Sequence, residues 1–174
     1  MPIFCLTGPE STGKSTLCEA LAEYFGGMSV SEYARQYVEN LQGKYVFLDV
    51  CRIARKQIEQ LNWPKNCGEK IIFFDTDLII TKVWFEHCFK KTPLFVEKYL
   101  KNTPVDCYLL CYPDIEWQND AVRENGTQQQ RQFFFQWYKQ EIEKIEKPYY
   151  IIKGKKEKRL QNAINSVNLF LKHN

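Results

Sequence analysis

Eight consecutive residues near the start of the chain carry the clearest chemistry: Gly8-Pro9-Glu10-Ser11-Thr12-Gly13-Lys14-Ser15 fits the pattern G-x-x-x-x-G-K-[ST]. A loop that wraps a polyphosphate closely needs glycine where a side chain would block the approach, here Gly8 and Gly13. Successive backbone N–H groups then point inward as an anion cradle, and the following helix adds the positive end of its dipole. In such a loop Lys14 reaches the β- and γ-phosphates and the Ser15 hydroxyl ligates Mg²⁺. The expected ligand is ATP with Mg²⁺. Gly8, Glu10, Ser11, Thr12, Gly13, Lys14, Ser15 and Thr16 are the candidate nucleotide contacts.

Three carboxylates fall where they can join this site. Asp75 ends an apolar run, and ligands of open α/β sheets gather at the carboxyl ends of strands, so Asp75 is a candidate for the Mg²⁺ shell. Asp77 follows two residues on, placed either to face an acceptor or to cap the next helix. Glu32 follows another candidate strand; a carboxylate there can take the proton of an attacking hydroxyl, or can form an ordinary surface pair with Arg35. Tyr33 and Arg35 beside it are candidate acceptor contacts, as is Gln57 more remotely.

Arg123 and Arg131 flank Gly126 in a polar stretch. They fit a lid that closes arginines over the transferred phosphoryl group, or a solvated loop. The basic run from Lys153 to Arg159 reads as a solvated face or as a loop beside an adenine ring. Tyr33, Tyr37, Trp63 and Trp84 are aromatic candidates for stacking on a base, or for packing.

These residues need a scaffold, and the hydropathy pattern supplies one. Short continuous apolar runs, Ile3–Leu6, Met28–Val30, Ile71–Phe74, Val105–Tyr112 and Tyr149–Ile152, read as buried strands. Helical spacing covers Lys14–Phe25, Glu32–Leu41, 47–62, 78–89, a short piece after Pro93, a long helix from Thr127 to about Lys147, and a last one ending near Leu171. Thr127-Gln128-Gln129-Gln130 has the form of a capping box opening the long helix. Strands alternating with helices predict an α/β fold, a P-loop three-layer sandwich with a five-stranded parallel sheet. Residues 1–174 are expected to form one domain, with 113–126 as a lid and 32–66 as a helical insertion that holds the acceptor.

Composition narrows the partners. The net charge of +3 lacks the clustered basic surplus of a polynucleotide binder. Apolar runs are far shorter than the ~20 residues that cross a bilayer, and no export signal is legible, so a cytoplasmic location without membrane contact is expected. No obligatory protein partner is evident. Seven scattered cysteines with no C-x-x-C pair read as free thiols, buried in a reducing compartment, rather than a disulfide or zinc framework.

Taken together, several of these motifs resemble one family. The run Thr7-Gly8-Pro9-Glu10-Ser11-Thr12-Gly13-Lys14-Ser15-Thr16, then Glu32-Tyr33-Ala34-Arg35, Asp75-Thr76-Asp77, Trp117 with Asp120 and Arg123, and Gln130-Arg131-Gln132-Phe133 are similar to the ribosylnicotinamide kinase domain of NadR-type proteins. The resemblance spans nearly the whole chain. It implies transfer of a phosphoryl group from ATP to the 5′-hydroxyl of nicotinamide riboside, for NAD salvage. It further implies Glu32 and Asp77 at the nucleoside, Asp75 near Mg²⁺ and Arg123 in the lid, with Lys14 stabilising the transferred group. Two departures stand out. Ser31 occupies the position of a tryptophan that stacks on the nicotinamide, and Asn119-Asp120-Ala121-Val122-Arg123 replaces an Asp-Asp-Gly-Leu-Arg lid pattern. A kinase for another nucleoside or small metabolite, and a nucleotide-dependent regulatory module, are the competing expectations.

Overall fold

In the computed structural model, which describes residues 1–63, 68–117 and 126–173, five strands form one parallel sheet in the order β2-β3-β1-β4-β5. The strands are β1 (Ile3–Thr7), β2 (Met28–Val30), β3 (Ile72–Asp75), β4 (Cys107–Cys111) and β5 (Tyr149–Ile152). The helices are α1 (Lys14–Phe25), α2 (Tyr33–Glu39), α3 (Phe47–Asn62), α4 (Leu78–Phe89), α5 (Leu94–Leu100), α6 (Gln128–Lys144) and α7 (Lys156–His173).

Side-chain alternation in the strands sorts the helices into two layers. Phe4, Leu6, Phe73, Leu109 and Ile152 pack on one face against Leu17 and Leu21 of α1 and Ala163, Val167 and Phe170 of α7. Ile3, Cys5, Ile72, Phe74, Tyr108 and Leu110 point the other way, into a core built with α3, α4, α5 and α6. Both faces of the central strands are therefore covered, which is why they read as unbroken apolar runs. Cys5, Cys18, Cys107 and Cys111 are buried thiols in these cores.

Local signals set the element ends. Gly26, at φ 59, closes α1, and the N–H of Gly27 returns to Ala22 O at 2.9 Å. At α6 the expected capping box is present: Gln130 N–H donates to Thr127 Oγ1 at 3.1 Å, and Thr127 N–H donates to Gln130 Oε1 at 3.2 Å. Helix α6 stops at Lys144, short of the expected Lys147, where Glu146 turns to φ 56 ahead of Pro148. Among the described residues no helix is long and apolar enough to cross a membrane.

Because every strand is parallel, all five carboxyl ends reach one edge of the sheet. Residues 8–13, 31–32, 76–77, 112–115 and 153–155 gather there, and the strand order reverses beside β1. That crevice is where a doubly wound sheet binds its ligands.

Candidate functional site

The loop between β1 and α1 has the backbone of an anion cradle. Gly8 takes φ 138, and a Cβ there would lie 2.6 Å from Cys111 O on the neighbouring strand, so only glycine lets the loop leave β1 against β4. Ser11 at φ 55 and Gly13 at φ 71 take left-handed conformations on either side of Thr12, a pattern that suits turning successive N–H groups to one side. Gly13 is also the N-cap of α1, so the helix dipole ends at the loop. Thr12 Oγ1 donates to Pro9 O at 2.8 Å and closes the turn from within. Lys14 Nζ donates to Gly8 O at 3.0 Å and Pro9 O at 2.9 Å, which holds its charge over the loop.

The loop opens on a cleft of about 1540 Å³. Glu10, Ser15 and Thr16 line it at the loop; Glu32 and Arg35 line it from α2 and its cap; Asp75 lines it from the end of β3. Asp75 is 4% exposed, and its Oδ1 is buried with no hydrogen-bond partner. A buried carboxylate oxygen of that kind, on the same cleft as the Ser15 hydroxyl, is the hard-oxygen donor set that suits Mg²⁺. These residues fit the cation expected from the loop.

Glu32 is half-buried. Burial pushes its carboxyl up to about 7; Lys14 opposes the rise, Asp75 adds to it, and Arg35 and Glu10 have smaller opposite effects. A carboxylate near neutrality beside a phosphate loop can exchange a proton with a hydroxyl. Arg35, on the same cleft, donates from Nε to Glu39 Oε1 at 2.9 Å.

Two expected acceptor residues are elsewhere. Asp77 is 1% exposed and caps α4: Oδ1 accepts from Ile79 N–H at 3.0 Å, and Oδ2 accepts from Tyr108 Oη at 2.7 Å. Burial pushes it up to about 6, against the lowering by those hydrogen bonds and one from Cys5. Both oxygens are engaged within the fold, Asp77 caps α4, and the residue is not among those that line the cleft. Tyr33 also misses the cleft wall. As the first residue of α2 it meets Tyr37 one helical turn on, with ring centroids 6.0 Å apart. Tyr37 packs too, its hydroxyl donating to Asp49 Oδ1 at 2.9 Å, and Trp63 is exposed. Arg123 and most of the lid lie outside the described residues.

The rest of the cleft lining consists largely of residues that sequence patterns did not single out. Tyr45 meets Trp84 edge to face at 4.7 Å. His87 meets Phe134 at 5.0 Å, and Phe134 stacks on Tyr138 at 6.1 Å. All five line the cleft, as do Gln57 and Thr81, where Thr81 Oγ1 donates to Gln57 Oε1 at 2.6 Å. Of these, only Trp84 and Gln57 were candidates from sequence. Burial, and after it the Glu10 and Glu32 carboxylates, raise the Tyr138 phenol above its ordinary range. The site thus joins an anion cradle, two acidic groups and an aromatic wall, an arrangement able to hold a polyphosphate against a planar ligand bearing a hydroxyl.

A family model described as an AAA domain matches residues 3–159. The chain is 29% identical over 133 residues to the trifunctional NAD biosynthesis/regulator protein NadR of Escherichia coli K12, covering 74% of this chain and 32% of that protein. A solved NadR protein in complex with NR superposes with a TM-score of 0.73 at 23% identity, over 96% of this chain and 48% of that one. A deoxyadenosine kinase from M. mycoides superposes with a TM-score of 0.66 at 15% identity, over 95% of this chain and 98% of that one. The chain therefore spans about a third of the curated relative and about half of the solved NadR chain, and it shares its fold with P-loop nucleoside kinases.

Proposed function

This chain belongs to the AAA-domain family, and we propose that it is a kinase that transfers the terminal phosphoryl group of ATP to the 5′-hydroxyl of a nucleoside, with nicotinamide riboside as the preferred acceptor. The observation that carries the reading is the convergence of Lys14, Glu32 and Asp75 on a single cleft that Tyr45, Trp84 and Phe134 also line. The similarity to NadR supports NAD salvage as its setting.

The loop amides and Lys14 bind the β- and γ-phosphates and offset the charge that spreads over the transferred group. Ser15 and Asp75 would hold Mg²⁺, which would supply positive charge to offset that of the phosphates. Lys156 and Leu160, at the start of α7, line the side of the cleft that receives the adenine. The acceptor lies toward Trp84, Tyr45 and Phe134, with its hydroxyl turned to Glu32. Glu32, with its carboxyl near 7, orients that hydroxyl and takes its proton as the O–P bond forms and ADP leaves. Most of the acceleration comes from holding the two reactants in line, which removes translational and rotational freedom before the reaction.

The experiment is a panel of nucleosides incubated with ATP and Mg²⁺, read by ADP release and product mass. Acceptor-dependent ADP release, with one phosphoryl group added to nicotinamide riboside, is expected. Phosphorylation of a different nucleoside would keep the kinase and change the acceptor. Slow hydrolysis that is indifferent to every acceptor would replace the kinase with a nucleotide switch.

A further inference from the structure

The side chains of Arg131 and Arg159 reach backbone carbonyls of the phosphate loop, buried to 2% and 3% exposure, and Arg159 also lines the cleft. Neither sits where its sequence context suggests. Arg131 follows the lid segment by a helical turn, and Arg159 closes a basic run that reads as a solvated face. Arg131 Nη2 donates to Ser11 O at 3.0 Å, while Nη1 donates to Ile115 O at 2.8 Å and Gln128 Oε1 at 3.3 Å. Arg159 Nη1 donates to Thr12 O at 3.0 Å, Nη2 to Tyr112 O at 2.9 Å and to the Asp114 carboxylate, and Nε to Gly154 O at 2.8 Å.

We propose that Arg131 and Arg159 are positioning residues that aim the amides of the phosphate loop, an inference that rests on reading this loop as the polyphosphate site. A peptide unit is planar and trans, so its C=O and N–H point in opposite directions. The Ser11 carbonyl shares a peptide with the Thr12 N–H, and the Thr12 carbonyl shares one with the Gly13 N–H. Fixing both carbonyls on buried guanidinium groups turns both N–H groups away from those groups. Hydrogen bonding at a carbonyl also polarises its peptide and strengthens the N–H as a donor.

The brace accounts for a backbone feature as well. Ser11 holds φ 55, a left-handed conformation that costs a residue with a Cβ and persists where surrounding contacts over-determine it. The Arg131 bond to Ser11 O is such a contact. Each guanidinium forks between the phosphate loop and the segment after β4, and Arg159 adds the turn after β5. Three loops at the carboxyl edge of the sheet are thus tied together, and a planar fork with several donors is what the geometry needs; lysine offers one point charge instead.

The test compares ADP, AMP-PNP and AMP binding by calorimetry for the wild type, Arg131→Gln, Arg159→Gln and the two Lys variants, with circular dichroism on each. If the arginines aim the amides, the Gln variants lose about tenfold or more in affinity for ADP and AMP-PNP alike. AMP, which lacks the β-phosphate, changes by less than about threefold, and the Lys variants recover part of the loss. Folded Gln variants with unchanged ADP affinity would overturn the inference. So would a loss for AMP-PNP far greater than for ADP, which would put a guanidinium on the γ-phosphate, or an equal loss for all three ligands, which would mark a general structural role. If a Gln variant does not fold, its Lys variant decides: a selective loss of ADP affinity supports the brace, and wild-type affinity overturns it. Wild-type protein that binds ADP without phosphorylating any nucleoside removes the acceptor assignment and leaves the brace in place, whereas wild-type protein with no ADP affinity removes the loop reading itself.

Discussion

At one end of the cleft, eight consecutive residues from Gly8 to Ser15 present backbone amides and a lysine. At the other, Tyr45 comes from the segment before α3, Gln57 from α3, Trp84 and His87 from α4, and Phe134 from α6. Apart from Lys14, the first end binds through backbone groups, so its demands fall on conformation: glycine at φ 138 and φ 71, and carbonyls held by buried arginines. The second end binds through side-chain faces drawn from distant parts of the chain. Such a wall can change one residue at a time and retune its ligand while the phosphate end stays fixed. A stacking residue absent at Ser31 is thus compatible with a wall that has Trp84 in it.

Substitutions at the two ends therefore have separable effects. Lys14→Ala is expected to have the largest, lowering turnover by roughly a thousandfold and weakening AMP-PNP in calorimetry, with acceptor affinity nearly unchanged. Undiminished AMP-PNP binding would break the assignment of the phosphate end. Glu32→Gln, at the boundary, should lower kcat on the order of a hundredfold with both KM values nearly constant. Wild-type kcat should rise with pH through about 7, as Glu32 loses its proton, and then level off. The Gln variant should lack that limb, and a pH profile shared by both proteins would assign the proton to another group.

Trp84→Ala should raise the acceptor KM about tenfold, since stacking of a base on an aromatic ring contributes ~1–3 kcal/mol. ADP affinity should be unaffected; equal losses at both ends would mean that the cleft does not divide as described. Asp77→Asn should leave kcat within about threefold and act on stability instead. With its folded carboxyl at about 6 against an ordinary 3.8, Asp77 keeps its proton in the fold after the unfolded chain has lost it. Its contribution is full below about 3.8 and is lost as pH rises to about 6, a change of ~3 kcal/mol. Urea denaturation across that window should show this slope in the wild type and lose it in the Asn variant. A large fall in kcat with unchanged stability would return Asp77 to the acceptor site.

The same division explains what the sequence disclosed. Strand β4 falls within the Val105–Tyr112 run and helix α3 on Phe47–Asn62 as the hydropathy pattern predicts, because β4 is buried on both faces and the apolar residues of α3 recur at helical spacing. The phosphate loop is legible because its chemistry is local and its glycines are required by backbone geometry. Asp75 and Asp77 show the limit. Both follow the same apolar run, and only packing decides that one keeps an unpartnered oxygen on the cleft while the other is sealed against Tyr108. Arg131 sits one position past a recognisable capping box, yet nothing in its neighbours tells that it turns inward to Ser11 O, 120 residues away in sequence. Tyr45 and Phe134 are ordinary core-forming residues by composition, and their place on the wall is a property of how the segment before α3 and helix α6 pack against α4.

The most direct measurement is a crystal structure of the protein with AMP-PNP, Mg²⁺ and nicotinamide riboside bound together. The account predicts the β- and γ-phosphates within the Gly8–Ser15 loop, the riboside ring against Trp84, and its 5′-hydroxyl within about 3.2 Å of the Glu32 carboxylate, pointing at the γ-phosphorus. A riboside bound outside the cleft, or one whose hydroxyl faces away from Glu32 with the nucleotide in place, would contradict it.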